Sequence, residues 1–138
     1  MAQRVSEVMT KNPVAIPLEA MLTEAARIMR ERGIGNVLVT SNGHLCGMLT
    51  DRDIVVRAVA DERDLRQTPV SEVCSAEIVT VGPDADTAAA VELMRSRAVR
   101  RVPVVERGRP VGIVTMGDLA THDDTSPLSA ISKAPPNV

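Results

Sequence analysis

The chain contains no phenylalanine, tyrosine or tryptophan. Its core must be filled by Val, Leu, Ile, Ala and Met, and a bound base would lie between aliphatic side chains. The aromatic stacking platforms of single-strand nucleic-acid binders are absent. No charge of one sign dominates either: 16 Lys and Arg stand against 18 Asp and Glu, for a net charge of −2. Acids and bases are interspersed, so the basic footprint of a phosphate-polymer binder is missing and no nucleic-acid partner is expected. No apolar run approaches the length of a membrane span, which argues against a membrane partner. The segment Met1–Met9 carries Arg4 and Glu7 and lacks the apolar stretch of a signal peptide. Cys46 and Cys74 are too few for a disulfide scaffold. A soluble cytoplasmic protein with reduced thiols is the expectation. The only histidines are His44 and His122, and no Gly-x-Ser-x-Gly elbow is present. No nucleophile–base set is visible, so no catalytic residue and no enzyme are expected.

A length of 138 residues suits one compact domain with a core of its own. Arg far outnumbers Lys, a hint of a GC-rich bacterial genome. The dominant feature is an internal repeat. Shifting the chain by 65 residues lays Val5–Asp53 on Val70–Asp118 without a gap. Val5-Ser6-Glu7-Val8 falls on Val70-Ser71-Glu72-Val73, Met29-Arg30 on Met94-Arg95, and Val37 and Val39 on Val102 and Val104. Gly43, Gly47, Thr50 and Asp53 fall on Gly108, Gly112, Thr115 and Asp118. One register held over so many positions is not chance.

Each copy reads β-α-β-β-α, an α/β (α+β) fold. A short strand (Val14–Ile16; Ile78–Val81) ends at Pro17 or at Gly82-Pro83. Helices over Leu22–Arg32 and Thr87–Arg97 follow from apolar residues at helical spacing, with Asp84 or Asp86 as N-cap of the second. Strands Val37–Thr40 and Leu45–Thr50, then Val102–Val105 and Pro110–Thr115, flank hairpin turns whose Gly43 and Gly108 supply positive φ. A last helix starts near Asp51 and near Met116. The division is residues 5–60 for the first repeat, 61–69 for a polar linker, 70–120 for the second repeat and 121–138 for a flexible tail. Neither copy alone buries enough. A pseudo-two-fold that packs the sheets together would bury both and leave two equivalent clefts.

One motif occurs twice: Gly47-Met-Leu-Thr-Asp-Arg-Asp53 and Gly112-Ile-Val-Thr-Met-Gly-Asp118. It runs a strand into a helix with Thr at the N-cap and Asp three residues on. One reading is a capping box that satisfies free backbone N–H groups. The other is a ribose-phosphate site, with helix N–H groups and the Thr hydroxyl on the phosphate and the carboxylate on the ribose hydroxyls. Spacing alone leaves both open.

The paired β-α-β-β-α units, Arg100–Val105 (Arg-Arg-Val-Pro-Val-Val) and the doubled Gly-x-x-Thr-x-x-Asp resemble a tandem pair of cystathionine β-synthase (CBS) domains, or Bateman module, over about Val5–Ala120. The likeness extends to stand-alone bacterial two-CBS proteins. It implies a regulatory sensor for AMP, ADP, ATP or S-adenosylmethionine that signals to a separate effector protein, as a homodimer and with no required cofactor. Carried over by position, Asp53 and Asp118 hold ribose, and Thr50 and Thr115 face phosphate. The base lies against Val14, Ala15, Ile16, Val37 and Leu38 in one cleft, and against Val79, Thr80, Val81, Val102 and Pro103 in the other. The first copy departs from the pattern, having Leu38 where the second has Pro103.

Other residues have two readings each. Arg97, Arg100 and Arg101 are a solvated basic turn or a phosphate clamp for the second cleft, and Arg52 is a similar candidate for the first. His44, Cys46 and Cys74 raise a metal- or redox-responsive variant. No spacing resembles a zinc site, and the repeat puts the thiols in the apolar slots of Val111 and Met9, so no metal ligand is expected. Ile54–Ala60 is apolar on more sides than one core requires, which points to a dimer contact. A ligand-free interaction scaffold, with Thr and Asp kept as caps, is the alternative to the sensor.

Overall fold

The structure, a computed structural model, describes residues 3–121; the tail expectation therefore falls almost wholly outside the described residues. The chain forms two compact units that cut across the sequence repeat. The first unit comprises Val14–Ile78, and the second joins Gln3–Pro13 to Val79–Thr121.

The first unit contains β2 (Ala15–Pro17), α2 (Leu22–Arg32), β3 (Asn36–Ser41), β4 (His44–Thr50) and α3 (Asp51–Ile54). A π-helical turn (Val55–Val59) prolongs α3, and a 3-10 turn covers Val70–Glu72. Its sheet runs β2-β3-β4, with β2 parallel and β4 antiparallel to β3. The second unit contains α1 (Val5–Val8), β1 (Thr10–Lys11), α4 (Thr87–Arg97), β5 (Arg101–Glu106), β6 (Arg109–Thr115) and α5 (Met116–Thr121). Its sheet runs β1-β6-β5 and is antiparallel throughout.

Local chemistry explains these boundaries. Glu24 accepts the Met21 N–H at the start of α2, and Gly33, at φ 65°, closes it in the left-handed conformation. Asp86 is the N-cap residue of α4, but its side chain makes no capping bond. Both hairpins need positive φ at two positions, so Asn42 (52°) and Arg107 (54°) join Gly43 and Gly108 there. Each hairpin also carries a bulge at the same repeat position, Cys46 and Val111 being the residues passed over in the register.

The expected strand Ile78–Val81 is not formed. Only one parallel bridge, Val81 to Val104, stands where the first unit has β2. The cause is Pro103. In the first unit Leu38 N–H donates to the Val14 carbonyl at 2.9 Å. Proline has no N–H to give the matching Val79 carbonyl, and the ladder stops.

Each unit has its own aliphatic core. Ile16, Leu22, Ala25, Met29, Val37, Val39, Leu49, Ile54 and Val70 fill the first, between the sheet and its helices. Val5, Ala90, Met94, Val102, Val104 and Val114 fill the second. The polar stretch after Ala60 folds back on the first unit. Leu22 and Thr23 N–H groups donate to the Thr68 and Leu65 carbonyls, and Thr68 is buried.

Candidate ligand-binding site

Strand alternation divides the expected base wall between two faces. In the first unit Ile16 and Val37 belong to the core between sheet and helices, and Val14 packs against it. Ala15 pairs with Leu38, Leu38 with Met48, and Asn36 with Thr50, so these residues share the opposite face. Leu38 is fully buried, while Ala15 is exposed. In the second unit Val102 is core, and Val79 and Val81 pack against that core. Thr80 neighbours Pro103 on the other face, where Pro103 pairs with Ile113 and Arg101 with Thr115. The sequence reading omitted Met48 and Ile113. Counting back by two from each motif threonine along its strand would have found them.

At the end of each row the motif takes one geometry. Thr50 N–H donates to Asp53 Oδ2 at 2.9 Å, and Asp53 N–H donates to Thr50 Oγ1 at 3.0 Å. Thr115 and Asp118 repeat both bonds at 2.9 and 3.0 Å. The capping box is therefore real, and it does not exhaust the site. A hydroxyl that accepts one bond still has its proton to donate, and each carboxylate keeps a second oxygen. Capping and ligand binding are compatible in the same pair.

The motif glycines have a reason of their own: space. A Cβ on Gly47 would stand 2.6 Å from the Ser75 carbonyl oxygen and 3.3 Å from Cys74 Sγ. One on Gly112 would meet Met9 Sδ at 2.5 Å and the Thr10 carbonyl oxygen at 2.9 Å. Each lets the segment behind the short first helix or turn lie against the motif strand.

The charged candidates separate. Arg101 is half-buried directly across from Thr115, whereas the first unit has Asn36 at the matching place. Arg97 and Arg100 are exposed, and the Arg100 carbonyl receives the first N–H of α5, from Met116. Arg52 is exposed in the first turn of α3. A cation the sequence reading missed, Arg57, has its Nε 3.9 Å from Asp53 Oδ1 and donates from Nη1 to the Val73 carbonyl at 3.1 Å.

His44, Cys46 and Cys74 form no metal cluster among the described residues, where no group of three or more His, Cys, Asp or Glu is placed to hold an ion. His44 is exposed, and its carbonyl accepts from the Cys46 thiol. Both thiols are free and half-buried; burial pushes the Cys74 thiol above its ordinary pKa, favouring the neutral form. No helix among the described residues is long and apolar enough to cross a membrane.

Comparison with known proteins agrees with this architecture. YhcV of Bacillus subtilis, a CBS domain-containing protein, is 42% identical over 118 residues, covering 86% of this chain and 84% of that protein. Hypoxic response protein 1 of Mycobacterium tuberculosis is 36% identical over 117 residues, covering 84% of this chain and 82% of that protein. The crystal structure of Hypoxic Response Protein I, with two coordinated zinc ions, superposes with a TM-score of 0.79 at 35% identity, covering 87% of this chain and 98% of that one. The CBS domain pair of protein MJ0100, solved with 5′-methylthioadenosine and S-adenosyl-L-methionine, superposes with a TM-score of 0.77 at 25% identity, covering 89% of this chain and 97% of that one. The CBS domain profile matches residues 5–59 and again 70–124. The chain belongs to the CBS domain family, as a tandem pair.

Proposed function

We propose that this chain is a regulatory module that senses an adenosyl ligand, whether AMP, ADP, ATP or S-adenosylmethionine, and signals its bound state to a partner protein. The carrying observation is the doubled Thr–Asp pair. Each sits at the end of a mostly apolar strand row and retains a hydroxyl proton and a carboxylate oxygen after capping its helix. Such a carboxylate suits the vicinal hydroxyls of a ribose, and the row suits an adenine face in a chain without aromatic rings. The complex of the MJ0100 pair with two adenosyl compounds supports the same ligand class.

The second unit adds a base-reading group. Among the described residues no donor reaches the Val79 carbonyl, because Pro103 lacks the N–H that Leu38 supplies to Val14. A free carbonyl there suits an exocyclic amine, so adenosine is favoured over inosine, which carries an oxygen instead. With Arg101 opposite Thr115, the second unit is the stronger of the two sites for a phosphorylated ligand.

The module acts without a required cofactor and carries out no catalysis of its own. It works in the cytoplasm as a homodimer, and the exposed Val55, Val56 and Val59 supply the contact. The rival is a ligand-free scaffold in which the motif is only a cap.

A thermal-shift series with AMP, ADP, ATP, S-adenosylmethionine, adenosine and inosine, with and without divalent metal, separates them. A true ligand at a hundredfold excess over its dissociation constant adds about 2.7 kcal/mol. No stabilisation by any adenosyl compound would favour the scaffold.

A further inference from the structure

The capping box takes one carboxylate oxygen in each unit, and the units differ in what meets the other. In the first unit that oxygen, Asp53 Oδ1, faces Arg57 Nε at 3.9 Å. The guanidinium is also tied down at its far end, where Nη1 donates to the Val73 carbonyl at 3.1 Å. Arg57 follows Asp53 by four residues and lies inside the π-helical turn Val55–Val59. The Asp53 side chain is 17% exposed and that of Arg57 52%, so the pair stays open to solvent and salt on the arginine side. In the second unit no ion pair among the described residues involves Asp118.

We infer that Arg57 is a latch on Asp53: it competes with ribose hydroxyls for the carboxylate and makes the first unit the weaker adenosyl site. This rests on the ribose role proposed above for the motif aspartates. Ribose hydroxyls bind by donating to carboxylate lone pairs, and their bonds are strengthened by the negative charge. At 3.9 Å Arg57 makes no hydrogen bond to the carboxylate, but it offsets the negative charge that strengthens those bonds. Its anchor on Val73 lies outside the motif, so the guanidinium has a hold that does not depend on Asp53. To take a ribose, Asp53 must share or surrender its contact with that anchored cation. Asp118 has no such competitor among the described residues. This difference is independent of Pro103 and Arg101, and it acts in the same direction.

A neutral nucleoside is the sharpest probe, because it offers Arg57 no charge to attract. Adenosine is titrated by calorimetry into D118N, in which the second site is disabled, and into D118N/R57M, in which methionine keeps the apolar stem without the charge. The latch predicts tighter adenosine binding in D118N/R57M by about 2- to 5-fold, the span of an exposed ion pair. Adding D53N to that double variant should abolish the gain. A second readout leaves Arg57 in place and is immune to misfolding of its variant. In D118N, raising NaCl from about 0.05 to 0.5 M screens the pair and should strengthen adenosine binding. If D118N alone binds too weakly to measure, the R57M change should bring binding into range. Equal or weaker binding in D118N/R57M than in D118N, or no salt response in a D118N that binds, would overturn the latch and leave the adenosyl reading standing. No adenosine binding by the parent protein would overturn the ribose reading and the latch together.

Discussion

Leu38 and Pro103 occupy matching positions in the two sheets and differ by a single backbone donor. Leu38 N–H reaches the Val14 carbonyl at 2.9 Å and holds β2 in place, whereas the segment before Val81 has no such bond. Pro103→Leu should therefore restore the ladder. The new bond is worth about 0.5–1.5 kcal/mol, and losing proline costs about 0.4–1 kcal/mol through the unfolded chain. Net stability should change by less than about 1 kcal/mol. Hydrogen exchange at residue 103 should show a protected amide, and the preference for adenosine over inosine should fall.

Gly47 and Gly112 should differ in their tolerance of alanine. At Gly47 the nearest obstacle is backbone, the Ser75 carbonyl oxygen at 2.6 Å, which cannot swing away. At Gly112 the nearest is the end of a flexible side chain, Met9 Sδ at 2.5 Å, with the Thr10 carbonyl oxygen behind it at 2.9 Å. Overpacking of this kind costs about 1–3 kcal/mol. Urea denaturation should place Gly47→Ala toward the upper end and Gly112→Ala below it.

These two comparisons show what a linear reading captures and misses. Helices Leu22–Arg32 and Thr87–Arg97 end where apolar spacing ends them, because their cores are local stripes on one helix. The Thr–Asp pairs were legible because their partners lie three residues away. Failures arose where a distant residue decides. Ile78–Val81 has strand composition, but its partner strand lacks a donor at Pro103. Ile16 and Val37 were read as a ligand wall, yet pairing register turns them into the core beside Leu49. Arg57 escaped notice because its role comes from a π-helical turn and from the Val73 carbonyl sixteen residues away. The regrouping of Gln3–Pro13 with Val79–Thr121 likewise depends on contacts such as Val5 N–H to the Ala85 carbonyl.

Val55, Val56 and Val59 are 57%, 53% and 51% exposed, while Ile54 and Ala58 of the same run are buried. An apolar stripe of that size should be covered by a second copy. Analytical ultracentrifugation at micromolar concentration should show a dimer. Val56→Glu or Val59→Glu should shift it toward monomer without unfolding it. A concentration-independent monomer for the parent would end the idea.

Burial raises the Cys74 pKa in the folded protein, with smaller opposing contributions from its backbone hydrogen bond and from Arg57. The folded state thus keeps its proton where the unfolded state has begun to lose it. The associated stability is complete below the ordinary cysteine pKa and is lost as pH rises through the folded value. Denaturation midpoints should fall more steeply between about pH 8 and 10 in the parent than in Cys74→Ala. At neutral pH, Cys74→Ala and Cys46→Ala should each cost only about 1 kcal/mol and leave ligand binding unchanged.

The central claim is that the motif aspartates bind ribose as well as cap helices, and Asp118→Ala tests it most directly. Loss of the cap alone lowers stability by about 1 kcal/mol, with or without ligand. Loss of a ribose acceptor removes charge-assisted hydrogen bonds worth about 1.5–3 kcal/mol each, or about 10- to 100-fold in affinity. Calorimetric titration of AMP into Asp118→Ala and the parent, with melting of both proteins in its absence, reads the two effects separately. The account predicts a lowered melting point together with at least tenfold weaker AMP binding, and a smaller affinity loss for Asp53→Ala. Equal AMP affinity in Asp118→Ala and the parent, alongside the lowered melting point, would contradict it.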